Sequence, residues 1–517
     1  MSPTQGDRAR NAAYILTMKN KTLMTACKWL PLVPALLMLG ACSVNPATGK
    51  QSFTGLMSPQ KEAQVGAEEH PKMLAQFGGA YSQDEWQAYV NEVGQKLAAL
   101  SERPDLTWTF TVVNDMDVNA FALPGGYVYV TRGLLALASD EAELAGVLSH
   151  EIGHVTARHT AQRYSATAAT NIGIQVLGVL SSVAGVSGIE NIAAVGAELA
   201  LKSYSRDQEL ESDMLGVRYL TRAGYDPQAM VSFFEKLRAH QRIEGLKAGD
   251  AHAAEKNNLL ATHPRTADRI VQAIKLADKN GAASGGAAPT RRDAQRYLAK
   301  VDGLVFGEDV DEGVVQGNAF IHPKLRFRFD VPDGFTIKNT PELVLAIDKD
   351  GNSIKFAHAS VKDVRDAGGM AAYLTKAWST DVTMGDVHAI TVNGMAAETG
   401  SARASTTAGI LDVQRVIIEQ DATRYWRFQF VSKSADTPRL NVPYRLTTYS
   451  FRPISRAEAN AVQPKYIRVV NVAKGQTFND LSASMAVDEY KSEWFEALNG
   501  IGPNDPLVAG TRVKVVK

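Results

Sequence analysis

Cysteine is nearly absent from this 517-residue chain: only Cys27 and Cys42 occur, both near the N-terminus. Their scarcity excludes a disulfide framework and a thiolate zinc cluster further on, so any metal site must use His, Asp or Glu. Net charge is absent too. Lys plus Arg and Asp plus Glu number 55 each, so no global charge steers the chain to a polyanion, and no nucleic-acid partner is expected. Long hydrophobic runs are also missing. Trp29 to Leu39 is apolar but about half the ~20 residues a membrane span needs. The Gly-, Ala- and Val-rich stretch from Ile172 to Ala200 is interrupted by Gln175, Ser181, Ser182, Glu190, Asn191 and Glu198. It reads as two soluble helices with a mobile Gly185 to Gly188 link covering a site, not as a span. What remains is a globular composition, 45% hydrophobic and 21% charged, in a chain long enough for two to four domains.

The most informative stretch is Ser149 to Thr160, SHEIGHVTARHT, with His150, Glu151 and His154 in the order H-E-x-x-H. Asp140 and Glu143 form an N-terminal capping pair, and Leu144, Val147, Leu148, Ile152 and Val155 recur at helical spacing, so the stretch belongs to a long helix. Histidines four apart share a helix face, and their imidazoles can converge on one ion with Glu151 beside it. That arrangement suits one Zn2+ held by three protein groups, with Glu151 as the base that activates water. Two histidines are not enough for a catalytic zinc. A metzincin would place Gly and His where Ala157 and Thr160 stand, so that class is excluded. His159 lies about 140 degrees around the helix from His154 and cannot face the same ion unless the helix unwinds; it reads as a surface histidine or one supporting a ligand from behind.

Candidates for the third ligand lie downstream. The densest acidic cluster is Ser205 to Asp213, where Glu209 and Asp213 share a face of a partly buried helix and Glu211 points away from it. Glu190 and Glu198 are rivals without a partner at helical spacing. Before the metal helix, Asn119 to Val130 reads as two strands around a Pro124-Gly125-Gly126 turn. An edge strand beside a metal can hold an extended substrate through backbone hydrogen bonds, which makes Asn119, Ala120, Phe121 and Ala122 the candidate substrate-binding residues.

With H-E-x-x-H at His150 to His154, E-x-x-x-D at Glu209 to Asp213, and Thr262-His263-Pro264 followed by Arg269, the chain resembles the gluzincin zinc peptidases of the CAAX prenyl protease, HtpX and BepA type over Asn45 to Ala277. The resemblance implies a mainly α-helical zincin domain with a small β-sheet and one zinc per chain. It implies that Glu209 is the third ligand, that Asp213 orients a ligand histidine, and that Arg269 supports the site from outside. His263 would stand either near the oxyanion or as a reversible extra ligand that keeps the enzyme latent.

At the N-terminus, Met18 to Lys21 is a basic region, and Leu39-Gly40-Ala41-Cys42 resembles a bacterial lipobox. That resemblance implies a signal over residues 1–41, a true start at Met18, a lipidated Cys42, and, with Ser43 next to it, the periplasmic side of a Gram-negative outer membrane. Residues 42–58 read as a tether, 59–279 as the peptidase domain, 280–316 as a linker with a short helix, and 317–455 as an α+β accessory domain with one helix near Ala367 to Trp378. His322, His358 and His388 there lack ligand spacing and read as structural. Residues 466–517 resemble a LysM module through Lys474 to Phe478, Leu498-Asn499-Gly500 and Gly510 to Val516, with Gln476 where that family commonly has Asp. Peptidoglycan is the partner this resemblance implies. Two functions are expected to compete: a zinc endopeptidase acting on unfolded or misassembled envelope proteins, and a non-proteolytic chaperone or peptidoglycan-associated binding lipoprotein.

Overall fold

The computed structural model describes residues 42–167, 203–249, 259, 263, 271, 274–275, 290–340, 342–379, 382–406 and 409–517. The signal segment, the expected pair of helices over Ile172 to Ala200, Arg269 and most of the Gly/Ala-rich linker lie outside them.

The described residues form several sheets, two large hydrophobic cores and smaller clusters beside them. The chain opens with a small hairpin, β1 (Cys42–Val44) paired with β2 (Gln51–Phe53), and continues into α1 (Pro59–Gln76) and α2 (Asp84–Ala98). Ser58 caps α1 by accepting from Lys61 N, with Pro59 at its first position, where a missing N–H costs nothing. The expected tether is therefore ordered chain: Asn45, Ala47, Thr54 and Met57 are buried because polar and apolar side chains both find partners on the helices that follow. A three-stranded sheet follows, with β5 (Tyr127–Thr131) central between parallel β3 (Thr109–Val113) and antiparallel β4 (Ala120–Leu123). After the short α3 (Arg132–Leu137) comes the buried metal helix, α4 (Glu141–Thr156).

The capping pair at the start of α4 forms. Asp140 accepts from Glu143 N at 2.8 Å while Glu143 accepts from Ser139 N. The helix ends sooner than its periodicity predicts. Arg158 takes φ = 58°, the chain turns, and helical structure resumes at residues 159–167. A left-handed arginine is costly unless held, and Arg158 is held by Glu62 Oε1 (2.9 Å), Thr54 Oγ1 (3.2 Å) and Met57 O (2.6 Å).

Helix α5 (Arg206–Arg222) carries a capping box between Ser205 and Gln208. It lies close against α4 because each helix offers a glycine: a Cβ on Gly153 would stand 2.7 Å from Ser212 Oγ, and one on Gly216 3.2 Å from His150 N. Helices α6 (Ala229–Ala248) and α7 (Ala294–Val301) complete the unit.

Beyond α7 the chain pairs β6 (Val305–Phe306) with a strand more than 150 residues later. Between them lies the α+β domain. Its seven-stranded antiparallel sheet has the order β10 (Phe335–Asn339), β11 (Val344–Asp348), β12 (Ser353–Ala359), β16 (Arg424–Lys433), β15 (Gly409–Asp421), β14 (Met395–Thr406) and β13 (Gly385–Val392). A four-stranded sheet of β17 (Arg452–Pro453), β9 (Phe327–Asp330), β8 (Ala319–His322) and β7 (Val314–Gln316) packs on it together with α8 (Thr437–Ser450). The single helix expected at Ala367 to Trp378 is instead broken: Val361–Ala367, then Met370–Ala372 running into one π-turn at Tyr373–Ala377, with Gly368 and Gly369 between.

The C-terminal module runs β18 (Lys465–Asn471), α9 (Phe478–Ala483), α10 (Lys491–Asn499) and β19 (Arg512–Val516), with β18 and β19 antiparallel. Its Ile467, Phe478, Phe495, Leu498 and Val515 belong to the same core cluster as Leu148 and Ile152 of the metal helix. Among the described residues no helix is long and apolar enough to cross a membrane.

Candidate metal centre

Helix α4 presents His150 and His154 one turn apart, and their Nε2 atoms lie 3.0 Å from each other. The glycine-mediated approach of α5 brings Glu209 to them, 3.7 Å from His150 Nε2 and 3.4 Å from His154 Nε2. His263 closes the group, its Nδ1 2.9 Å from Glu209 Oε1 and 3.3 Å from His150 Nε2. These four residues, all buried, are the group among the described residues whose ligand atoms all lie within 4.8 Å of one another. His322, His358 and His388 take no part in it.

Three imidazoles and a carboxylate converging in a buried site make a poor arrangement for protons and a good one for a cation. Burial pushes His154 well below its ordinary pKa, so its Nε2 keeps a lone pair. Burial alone would raise Glu209, but His263 and His154 hold its carboxyl well below the usual range. Neutral imidazoles plus an ionised carboxylate are the donors Zn2+ takes at a catalytic centre.

The atoms behind the histidines fix which nitrogen faces the centre. Asp213 Oδ1 stands 3.0 Å from His150 Nδ1, on the opposite side of the ring from Nε2. His154 Nδ1 meets His159 Nδ1 at 2.8 Å, and His159 Nε2 meets Glu211 Oε2 at 3.0 Å. His159 is thus fully buried and not a surface residue: the turn at Arg158 swings it back against His154 instead of out to solvent. Burial lowers its pKa. Sequence reasoning set Glu211 aside because it points off the Glu209 face, yet it reaches the site through His159. It also missed Tyr204, whose ring stacks on His154 with centroids 3.7 Å apart and carries the Arg163 guanidinium on it at 3.7 Å. An aromatic five residues before Glu209 was the available signal.

Glu151, fully buried beside His150, has an oxygen 3.5 Å from His263 Nε2. Strand β4 forms one border of its sheet, pairing with β5 on one side, and among the described residues no strand occupies the other. Asn119 sits just before it rather than in it. Its backbone bonds Thr131 in both directions, and its Oδ1 is buried without a hydrogen-bond partner among the described residues. At the end of β4 a small pocket, with room for little more than a water molecule, lies beside His154, lined by Ala122, Gly125, Arg158, Thr160 and Tyr204 among others. Arg269 lies outside the described residues, so its expected supporting role has no counterpart in this geometry.

Residues 84–277 match the family model described as peptidase family M48. Over 264 residues the chain is 30% identical to the putative beta-barrel assembly-enhancing protease of Vibrio cholerae, covering 50% of this chain and 52% of that protein. It is 32% identical over 198 residues to the beta-barrel assembly-enhancing protease of Escherichia coli K12 (37% and 39% covered), and 30% identical over 227 residues to the mitochondrial metalloendopeptidase OMA1 of Schizosaccharomyces pombe (44% and 63%). The chain spans about half the length of the Vibrio protein.

Proposed function

We propose that this chain, whose residues 84–277 match the peptidase family M48 model, is a zinc-dependent endopeptidase that hydrolyses unfolded or misassembled envelope proteins. The observation that carries the reading is the convergence of His150 Nε2, His154 Nε2 and the Glu209 carboxylate within a buried centre, with Glu151 on the same helix. When bound there, zinc acts as a Lewis acid toward the scissile carbonyl and makes water more acidic. The remaining work falls to the chain. Glu151 takes the proton of the attacking water and delivers it to the leaving amine as the C–N bond breaks. The border of β4, from Ala120 to Leu123, holds the substrate as an added strand, and Asn119 Oδ1 accepts from a substrate N–H beside it. Asp213 orients His150. His263, lying among the ligand atoms, would be a fourth group able to hold the metal in the resting chain.

Substrate class and location rest on the relatives' names and on the N-terminal sequence. Two of them are beta-barrel assembly-enhancing proteases, and a lipidated Cys42 would hold the chain on the periplasmic side of the outer membrane. The LysM-like reading of residues 466–517, with peptidoglycan as partner, is supported by the exposure of Lys474, Gly475, Pro506 and Val508 on the loops flanking α9 and α10.

The test is Glu151→Gln. With zinc content unchanged by metal analysis, proteolysis of an unfolded β-barrel polypeptide should fall about a hundred- to ten-thousand-fold. Wild-type degradation by a zinc-loaded Glu151→Gln chain overturns the reading.

A further inference from the structure

Two ligand histidines share one helix but are braced differently. His150 Nδ1 meets a carboxylate directly, Asp213 at 3.0 Å. His154 Nδ1 meets a second imidazole, and only beyond it a carboxylate. We infer that His159, Glu211 and Asn45 are positioning residues for the metal, so that the N-terminal segment 42–58 is a working part of the zinc site and not a leash.

The direction of each hydrogen bond follows from chemistry. An ionised carboxylate only accepts, so His159 Nε2–H donates to Glu211 Oε2. A neutral imidazole that donates at Nε2 can only accept at Nδ1. His154 Nδ1–H must therefore donate to it, and the lone pair on His154 Nε2 is left facing the centre. Partners of this kind fix both the tautomer and the ring orientation of a ligand histidine.

The far end of the relay is tied to the N-terminal segment. Asn45 Nδ2 donates to Glu211 Oε1 at 3.2 Å and to Ala157 O, the carbonyl that ends the metal helix, at 3.3 Å. Asn45 is 2% exposed and its own Oδ1 accepts from Ala47 N, so its amide is locked in orientation. The same segment supplies two of the groups that hold Arg158 in its left-handed turn, Thr54 Oγ1 and Met57 O. Without that turn His159 would lie on the wrong side of the helix. One segment thus makes the turn and braces what the turn delivers.

The inference rests on zinc at this centre and not on proteolysis. Its test is the zinc dissociation constant of the full mature chain, measured by competition with a chelator, alongside the thermal midpoint of the zinc-free protein. His159→Phe keeps bulk but cannot accept from His154, and should weaken zinc about 10- to 100-fold. His159→Gln, whose carbonyl can accept from His154 while its amide donates to Glu211, should recover most of that loss. Glu211→Gln and Asn45→Ala should each weaken zinc several-fold. His159→Phe with Glu211→Gln should be no worse than His159→Phe alone, because members of one relay are non-additive. If His159→Phe does not fold, the pair Glu211→Gln and Asn45→Ala with their double variant carries the same non-additivity test. Wild-type zinc affinity in His159→Phe, equal damage from Phe and Gln, or strictly additive losses overturn the inference. A wild-type chain that binds no zinc overturns it together with the proposed function. A chain that binds zinc with the expected variant series but cleaves nothing overturns the proposed function alone.

Discussion

The α+β domain and the C-terminal module follow one another in sequence but stand in opposite relations to the peptidase unit. Strands β6 and β18 pair with Phe306 opposite Lys465, so the chain leaves for the α+β domain and returns from it at one point. That domain buries its own core, built on Phe327, Phe356, Trp426, Phe428 and Phe451. Its ion pair to the peptidase unit, Lys338 with Asp117 at 3.9 Å, is about half exposed on both sides and worth little. The module instead shares the peptidase core. Its α10 lies on α6, Ser139 Oγ donates to Leu498 O, and the Lys514 ammonium is fully buried against the end of α3. The larger region is an insertion; the smaller one is part of the body that holds helix α4.

The strongest way to break this comparison is to delete each region. Ending the chain before β18 removes Phe495, Leu498 and Val515, each 0–1% exposed, and uncovers the side chains of the shared core they pack with, at about 1.5–3 kcal/mol for each such side chain uncovered or removed. Several such losses together reach the 5–15 kcal/mol that holds a domain together. The truncated chain should lose its cooperative melt and its zinc. Replacing residues 307–464 by an Asn-Gly turn between Phe306 and Lys465 closes a hairpin the structure already pairs, and should leave both intact. Metal analysis and circular dichroism melts on the two deletions read the result; the reverse outcome refutes the comparison.

How much of this was legible beforehand differs by the range of the forces involved. Helices α1 and α2, the strands β3 to β5 and the capping of α4 follow from local periodicity and capping residues, and all appear within a few residues of expectation. The H-E-x-x-H pair was legible because helical geometry fixes which side chains share a face, whereas Glu209 was one candidate among several acids and only the resemblance to the gluzincins implied it as the third ligand. The turn at Arg158 was not. Its left-handed backbone is stabilised by Glu62, Thr54 and Met57, about a hundred residues away, and no window around His159 contains them. Periodicity therefore ran the helix on and left His159 open between a surface position and one behind a ligand; the turn selects the second. The burial of Asn45, Ala47, Thr54 and Met57 was missed for a related reason: polar, turn-rich sequence reads as solvated loop unless its partners, here Glu211, Arg158 and Arg218, which donates to Ala47 O at 3.1 Å, are already known.

A single side chain sharpens the comparison next. Lys514 Nζ donates to the carbonyls of Ala136, Leu137 and Ala138 at 2.7, 2.9 and 2.6 Å, three groups that the end of α3 would otherwise leave bare. Burial pushes its amine well below the ordinary lysine value, so part of what the contacts contribute is offset. Lys514→Met strands three buried acceptors and should destabilise the peptidase unit by about 3 kcal/mol, allowing ~1 kcal/mol for each. Urea titration should show the loss in the transition that carries zinc and not in that of the α+β domain. An unchanged zinc-linked midpoint would mean the module merely rests on α3.

The smallest expected effect separates the two regions by pH. Burial alone would raise Glu143, under the module, but Lys236 at 2.8 Å and Ser232 hold it below the usual carboxylate range. A depressed folded value means its stabilisation is complete above the unfolded pKa of about 4.3 and is lost as pH falls through the folded value. Between pH 5 and 8 it therefore contributes no slope. Glu308, at the entrance to the α+β domain, behaves oppositely. Burial pushes it up to about 7, against the pull of Val315 N–H and Lys465. The folded form then holds its proton more tightly than the unfolded one, so stability falls as pH rises from about 4.3 to about 7 and is flat above. Partial exposure of Glu308 reduces the full linkage value, leaving about 2 kcal/mol. Denaturant titrations of wild type and Glu308→Gln at pH 5 and pH 8 should show that Glu308 weakens the α+β transition at pH 8, against the opposite pull of buried His322, with the difference between the two chains confined to that transition. A difference that appears equally in the zinc-linked transition, or no difference at all, would place the titrating group in the shared body and not in the insertion.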